Sequence, residues 1–275
     1  MFQTKAKLIY NKKVNRNYFH CALEAASIAK NALPGQFINV KLTETFDPLL
    51  RRPFSIHRVR GKTIEILYQV VGKGSAILSE KKAGEYLDII GPLGNGFNCL
   101  EPRVYNLKPI LIAGGMGVAP LVFLAQKLFS RKPIVLIGAK TKKHILCAEE
   151  FKKIGCKIKI ATDDGSKGFK GRVTELLKNV LLEPKTQFAL NDSQNLKPII
   201  YACGPKPMLK EIAVISKNYK IPAQISLEEH MACGIGACLG CMVETRTENL
   251  EPRTQFEYKR VCKDGPVFLA DEIIW

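Results

Sequence analysis

Residues 110–120 read Ile-Leu-Ile-Ala-Gly-Gly-Met-Gly-Val-Ala-Pro. Ile110 to Ala113 is a short continuous apolar run, the pattern of a buried strand, and the glycines after it make a turn into a helix. Apolar character continues to Ala125, sixteen residues between Pro109 and Gln126. That is short of the ~18–20 a membrane span needs, and Gly114, Gly115, Gly117 and Pro120 interrupt it. Strand, turn and helix start explain the run, and no membrane span is expected. A glycine turn between a strand and a helix N-terminus gathers backbone N–H groups for a phosphate. The Rossmann fingerprint is nevertheless incomplete. Pro120 stands where its third glycine would be, and Ala139-Lys140 ends the next strand where an acidic residue would be.

Downstream, a helical stretch over 121–129 is followed by an apolar strand over 134–138. A helical segment near 148–153, a strand over 157–161, a helix over 173–180 and a last strand over 199–202 complete the series. This alternation predicts a parallel sheet with helices on its faces. The polar stretch 185–197 predicts a surface loop. Upstream, β-type runs at 5–11, 19–27, 37–42, 64–71 and 86–90 are separated by Pro34-Gly35, Asp47-Pro48, Arg60-Gly61 and Gly91-Pro92. Such spacing predicts a closed antiparallel barrel. From about Gln224 cysteines dominate. The expected fold is β plus α/β multidomain: a barrel over 1–103, a parallel-sheet domain over 104–222 and a small C-terminal module over 223–275.

The 275 residues are 46% hydrophobic and 24% charged, ordinary for a globular protein. Lys plus Arg exceeds Asp plus Glu by 42 − 25 = 17. The lysines form no aromatic-interleaved patch, so solvated faces are expected rather than a nucleic-acid site, and the basic surface suits an acidic partner. Met1–Tyr10 carries no secretory pattern, which predicts a cytoplasmic protein. Nine cysteines, an odd number, argue against a complete disulfide framework.

Four of them, Cys233, Cys238, Cys241 and Cys262, are spaced C-x4-C-x2-C-x20-C. Plant-type [2Fe–2S] ferredoxins use C-x4-C-x2-C with a distant fourth cysteine. Gly234, Gly236 and Gly240 let the loop backbone pass close to the sulfurs with amides turned inward. Structural zinc is the competing reading, but only one C-x2-C is present and the second half of a zinc ribbon is missing.

Arg52-Pro53-Phe54-Ser55 sits between strand runs, where a guanidinium can neutralise a pyrophosphate and a hydroxyl can reach a flavin edge. Leu67-Tyr68-Gln69 leads to Gly72-Lys73-Gly74-Ser75, whose backbone N–H groups open a helix toward a phosphate. Cys203-Gly204-Pro205 follows the strand over 199–202, at the carboxyl edge where such sheets bind ligands.

Arg-Pro-Phe-Ser at 52–55, Gly-Gly-Met-Gly-Val-Ala-Pro at 114–120 and Cys203-Gly204-Pro205 together resemble the ferredoxin–NADP reductase superfamily. Residues 67–69, 71–75, 162–166 and above all 226–241 are similar to the electron-transfer subunit of NAD-dependent dihydroorotate dehydrogenases. The resemblance covers essentially the whole chain. It implies FAD on the barrel (Arg52, Pro53, Phe54, Ser55, Leu67, Tyr68, Gln69, Gly74, Ser75), expected at the barrel–sheet interface. It also implies NAD on the α/β domain (Gly115, Gly117, Pro120, Asp163, with Cys203 near the nicotinamide) and a [2Fe–2S] cluster on the four cysteines. The implied partner is an FMN-containing catalytic subunit that oxidises dihydroorotate to orotate in pyrimidine biosynthesis, the whole forming a heterotetramer. Electrons are expected to run from FMN through the cluster and FAD to NAD. Gln69 stands where a basic residue is expected, and His230 where Arg is expected. The alternative is the related small subunit of an NADH-dependent ferredoxin:NADP oxidoreductase or sulfide dehydrogenase, whose cluster loop tends to carry an Asp ligand. A non-catalytic binding flavoprotein is a third reading. Asp163 favours NAD, because a carboxylate accepts a bond from a free 2′-hydroxyl and repels a 2′-phosphate; Lys140, Lys142 and Lys143 act in the opposite sense.

Overall fold

A computed structural model of the protein describes residues 1–99, 107–182, 197–246 and 256–275. These divide into two compact units. The first is Met1–Gly96, Glu229–Val243 and Tyr258–Pro266; the second is Phe97–Glu228, Glu244–Glu257 and Val267–Trp275. The expected boundary at 103/104 lies outside the described residues, as does the loop expected over 185–197 except Lys197.

In the first unit, β1 (Phe2–Asn15), β2 (Tyr18–Glu24), β3 (Phe37–Lys41), β4 (Arg52–Ser55), β5 (Arg58–Arg60), β6 (Thr63–Gln69) and β7 (Tyr86–Leu93) form a seven-stranded sheet ordered β4-β3-β7-β1-β2-β6-β5. All its pairings are antiparallel. Alternation sets the core face: Ile64, Ile66 and Tyr68 of β6 lie opposite Leu23, Cys21 and Phe19 of β2. The end strands β4 and β5 share no ladder among the described residues. The sheet curls instead through side chains, with the Phe54 ring of β4 5.6 Å from that of Tyr68 on β6. The closed barrel is thus a half-barrel. The strand predicted over 19–27 ends at Glu24, and α1 (Ala26–Asn31) takes over. Strand β7 runs through Gly91-Pro92, where a turn was expected; a Cβ at Gly91 would meet Ile38 at 2.7 Å.

The second unit is a seven-stranded sheet ordered β11-β10-β9-β8-β12-β13-β16. Its strands are β8 (Leu107–Gly114), β9 (Ile134–Ala139), β10 (Lys157–Thr162), β11 (Phe169–Lys170), β12 (Lys197–Cys203), β13 (Ala223–Ser226) and β16 (Val267–Leu269). Only β16 is antiparallel to its neighbour. The helices are α3 (Val118–Lys127), α4 (Ala148–Ile154), α5 (Val173–Leu182) and α6 (Lys206–Tyr219); α2 (Lys73–Glu80) belongs to the first unit. The strand over 199–202 is therefore not the last. Helix α6, unassigned from sequence, buries Leu209, Ile212 and Ile215 against the sheet and carries the chain to β13. Strands β14 (Met242–Arg246) and β15 (Phe256–Arg260) form a separate two-stranded sheet. In the seven-stranded sheet the order reverses between β8 and β12. Their carboxyl ends, Gly114 and Cys203, flank the crevice in which open α/β sheets bind ligands.

Candidate functional site

The cysteine loop belongs to the first unit. Cys233 Sγ accepts backbone N–H groups from Ile235, Ala237 and Cys238 at 3.5, 3.3 and 3.4 Å. Gly234 and Gly236 make this convergence possible, with φ of +69° and +86°. Burial pushes the Cys233 thiol up, but the N–H groups of Ile235 and Cys238, the Cys238 side chain and the Ala237 N–H outweigh it and hold it at about 6. Cys241 and Cys262 are buried, and the Cys262 N–H donates to Cys241 Sγ at 3.4 Å. Burial and then the neighbouring Cys241 push Cys262 up to about 12. Cys238 is exposed. Thiols crowded this way resist ionising together until a cation joins them, and inward amides stabilise sulfur charge; the four residues fit a cationic iron–sulfur group.

Residues that sequence reasoning missed hold this loop. Asn39 of β3 donates from Nδ2 to the Cys233 carbonyl at 3.0 Å. Asn95 donates its backbone N–H to Gly265 O at 2.6 Å and its Nδ2 to Asp264 O at 3.0 Å. Arg260 is clasped by Asp264 and donates to Gly236 O at 3.2 Å. Apart from the Arg260–Asp264 pair, these contacts join positions far apart in sequence, and no local pattern signals them.

On the half-barrel the structure separates the two arginines. Arg51 is committed to Asp88, through Nη2 to Oδ2 at 2.8 Å and Nη1 to the backbone carbonyl at 2.9 Å. Among the described residues Arg52 bonds only nearby carbonyls, Leu50 O at 2.7 Å and Arg51 O at 3.3 Å, and packs so closely on Gly74 that a Cβ there would meet its Nε at 3.1 Å. Arg52 and the start of α2 are thus brought together. The Ser75 hydroxyl is already used: it accepts from the N–H groups of Val71 and Gly72 and donates to Gly72 O, leaving its backbone N–H as its group for a phosphate. Tyr68 is 2% exposed, lies between Phe19 and Phe54, and donates its hydroxyl to Asn11 at 3.0 Å. Leu67 and Gln69 point to the opposite face from Tyr68, as Pro53 and Ser55 do from Arg52 and Phe54.

In the second unit the loops after β8 and β12 meet. A Cβ on Gly117 would stand 2.0 Å from Cys203 O, and one on Gly114 2.8 Å from Pro205 Cδ. Gly115, at φ +54°, faces open space. Pro120 is buried in the first turn of α3, where its missing N–H is no loss. Cys203 is 2% exposed; burial and then Glu228 raise its thiol, against a bond from Ser226. Glu228 was not among the expected site residues. Asp163 is exposed at the end of β10, and its carboxylate has no partner among the described residues. Asp164 accepts from Ser166 N and Oγ, and Ser166 Oγ accepts from Lys142 N at 2.8 Å, tying the loop after β9 to that after β10. His230 is exposed.

Comparisons with known proteins agree with this arrangement. The iron–sulfur cluster binding domain of dihydroorotate dehydrogenase B matches residues 228–274, and the oxidoreductase NAD-binding domain matches 111–213. The dihydroorotate dehydrogenase B (NAD(+)) electron transfer subunit of Desulforamulus reducens is 42% identical over 100% of this chain and 98% of its own length. That of Caldanaerobacter subterraneus subsp. tengcongensis is 38% identical over 100% and 99%. A solved structure of an NADH-dependent reduced ferredoxin–NADP oxidoreductase, from work on flavin-based electron bifurcation, is 28% identical with a TM-score of 0.81, covering 99% of this chain and 90% of that one. No helix among the described residues is long and apolar enough to cross a membrane. With full-length relatives at this identity, the chain belongs to the dihydroorotate dehydrogenase B (NAD(+)) electron transfer subunit family, an oxidoreductase subunit that uses FAD, an iron–sulfur cluster and NAD and serves a catalytic partner subunit.

Proposed function

We propose that this chain, cytoplasmic and assembled in a heterotetramer with an FMN-containing dihydroorotate-oxidising subunit, carries electrons from that FMN through a [2Fe–2S] cluster on Cys233, Cys238, Cys241 and Cys262 and then through FAD to NAD+. When bound, the three groups supply one-electron relay, the change from single electrons to a pair, and hydride acceptance. The protein's part is binding and electrostatics. Arg52 neutralises pyrophosphate charge, aided by the backbone N–H groups of Gly74 and Ser75 at the α2 N-terminus. Phe54 and Tyr68 shape the wall on the Arg52 face; Pro53, Ser55, Leu67 and Gln69 offer contacts from the other faces of their strands. Gly115 and Gly117 keep side chains out of the crevice beside β12, Pro120 fixes the start of α3, and Cys203 lines the strand end as a neutral thiol. Asp163 accepts the adenosine 2′-hydroxyl. The segments 1–103, 104–222 and 223–275 are read as the parts serving FAD, NAD and the cluster.

The observation that carries this reading is the four-cysteine loop with three amides converging on Cys233 Sγ. The test is metal and sulfide analysis with a Cys238→Ser variant. Two irons and labile sulfide per chain are expected. The variant should lose both and fail to exchange electrons with the partner's FMN in either direction, while NADH still reduces its FAD. Zinc without sulfide would overturn the reading.

A further inference from the structure

Asn39 combines features that a purely structural core residue does not need. It lies in the middle of β3 and is 1% exposed. The β3–β7 ladder shifts register between Phe37 and Asn39, and such irregularities re-aim a side chain. Its Nδ2 donates to the Cys233 carbonyl at 3.0 Å, which fixes the orientation of the amide. The next residue, Gly234, is at φ +69°, and any Cβ there would sit 2.4 Å from Asn39 Nδ2. On its other side Asn39 pairs directly with Pro53 of β4. Its Oδ1, meanwhile, is buried without a hydrogen-bond partner among the described residues. A leucine would remove the unpaired oxygen at the cost of one bond to the Cys233 carbonyl, so the asparagine keeps a buried unpaired acceptor in order to hold that carbonyl.

We propose that Asn39 is a positioning residue for electron transfer: its Nδ2 pins the Cys233–Gly234 peptide so that the following amides aim at Cys233 Sγ, and it ties the cluster loop to the strand beside Arg52–Ser55. The inference rests on the four-cysteine assignment above. Hydrogen bonds to sulfur help set cluster potential, and outer residues that orient ligands commonly govern metal retention by about 10–100-fold.

The test uses the full-length chain loaded with FAD and cluster, as wild type, Asn39→Leu and Asn39→Ala. Three quantities are measured: the cluster midpoint potential by spectroscopically monitored titration, the rate of iron release to a chelator, and the melting temperature of the chain stripped of iron. Both variants should keep FAD, show a more negative potential and release iron about 10-fold faster or more. Without iron, Asn39→Leu should melt close to wild type, because removal of the unpaired Oδ1 offsets the bond lost to the Cys233 carbonyl. Unchanged potential and iron release in both variants overturn the proposal. So does loss of FAD together with iron in both, which marks a residue of the general fold. A wild-type chain without iron and sulfide instead sinks the four-cysteine assignment.

Discussion

Gly117→Ala tests the crevice between β8 and β12. The added methyl would stand 2.0 Å from Cys203 O, 2.3 Å from its carbonyl carbon and 2.7 Å from Gly204 N. Ordinary contact begins near 3.4 Å, so the methyl must move from that oxygen by about 3.4 − 2.0 = 1.4 Å. The opposing atoms are backbone, and Cys203 is laddered to Ala113 on one side and Ser226 on the other, so the strand end cannot yield alone. The start of α3 has to lift instead. Overpacking of this kind costs about 1–3 kcal/mol, more where the surroundings are stiff. A displacement near 1 Å in a reacting site costs about 100-fold in rate. Purified Gly117→Ala should therefore melt several degrees lower and lose about 100-fold in kcat/KM for NADH oxidation with an artificial acceptor. FAD and iron content should hold, because their proposed ligands lie in the other unit. Gly115→Ala is the companion: its Cβ meets nothing within 4 Å among the described residues, leaving the strain of φ +54°, about 1–2 kcal/mol. It should melt closer to wild type and raise KM more than it lowers kcat. Wild-type kcat/KM in Gly117→Ala, or a lower melting temperature for Gly115→Ala than for Gly117→Ala, would refute the reasoning.

The two adjacent arginines should separate. Arg52→Ala should weaken FAD binding about tenfold or more, the loss of about 1.5–3 kcal/mol of charged hydrogen bonding, measured by flavin titration of the apo chain; unchanged affinity counts against the assigned role. Arg51→Ala should instead cost about 1–2 kcal/mol of stability. Burial raises the Asp88 carboxyl, but the bonds from Arg51 and Gln3 hold it below its usual range. That stabilisation is present above the ordinary Asp pKa and disappears as pH falls through the lowered one, so denaturant midpoints of the two proteins should converge in acid. In cofactor choice, wild type should show higher kcat/KM for NADH than NADPH, and Asp163→Ser should narrow the gap, by about 1–3 kcal/mol at most; a wild-type preference for NADPH contradicts the role of Asp163. Cys203→Ala should slow flavin reduction by NADH in stopped flow at constant iron content, and an unchanged rate would leave Cys203 a core residue at the end of β12.

What the sequence determined by itself was local. Three of the four cysteines lie within nine consecutive residues with glycines between them, so their convergence needs only one loop to turn. The strand and glycine turn over 110–120 are likewise short-range, set by apolar run length and by φ values open to glycine. Strand–helix alternation was enough for the parallel sheet, although α6 escaped notice: its apolar spacing at Leu209, Ile212 and Ile215 is offset by lysines and a short polar end. Tertiary structure decided the rest, because those outcomes depend on surfaces that meet across long separations. Whether the end strands of the first sheet join by a ladder is a matter of accumulated curl, and here Phe54 and Tyr68 meet without one. Which arginine is left for a phosphate follows from Asp88 capturing Arg51 from 37 residues away. That Cys203 is shut in follows from the packing of its neighbours against it. The grip of Asn39 on Cys233 spans 194 residues. An asparagine in a strand carries no local sign of such a contact, since only folding brings its donor to the one carbonyl it holds.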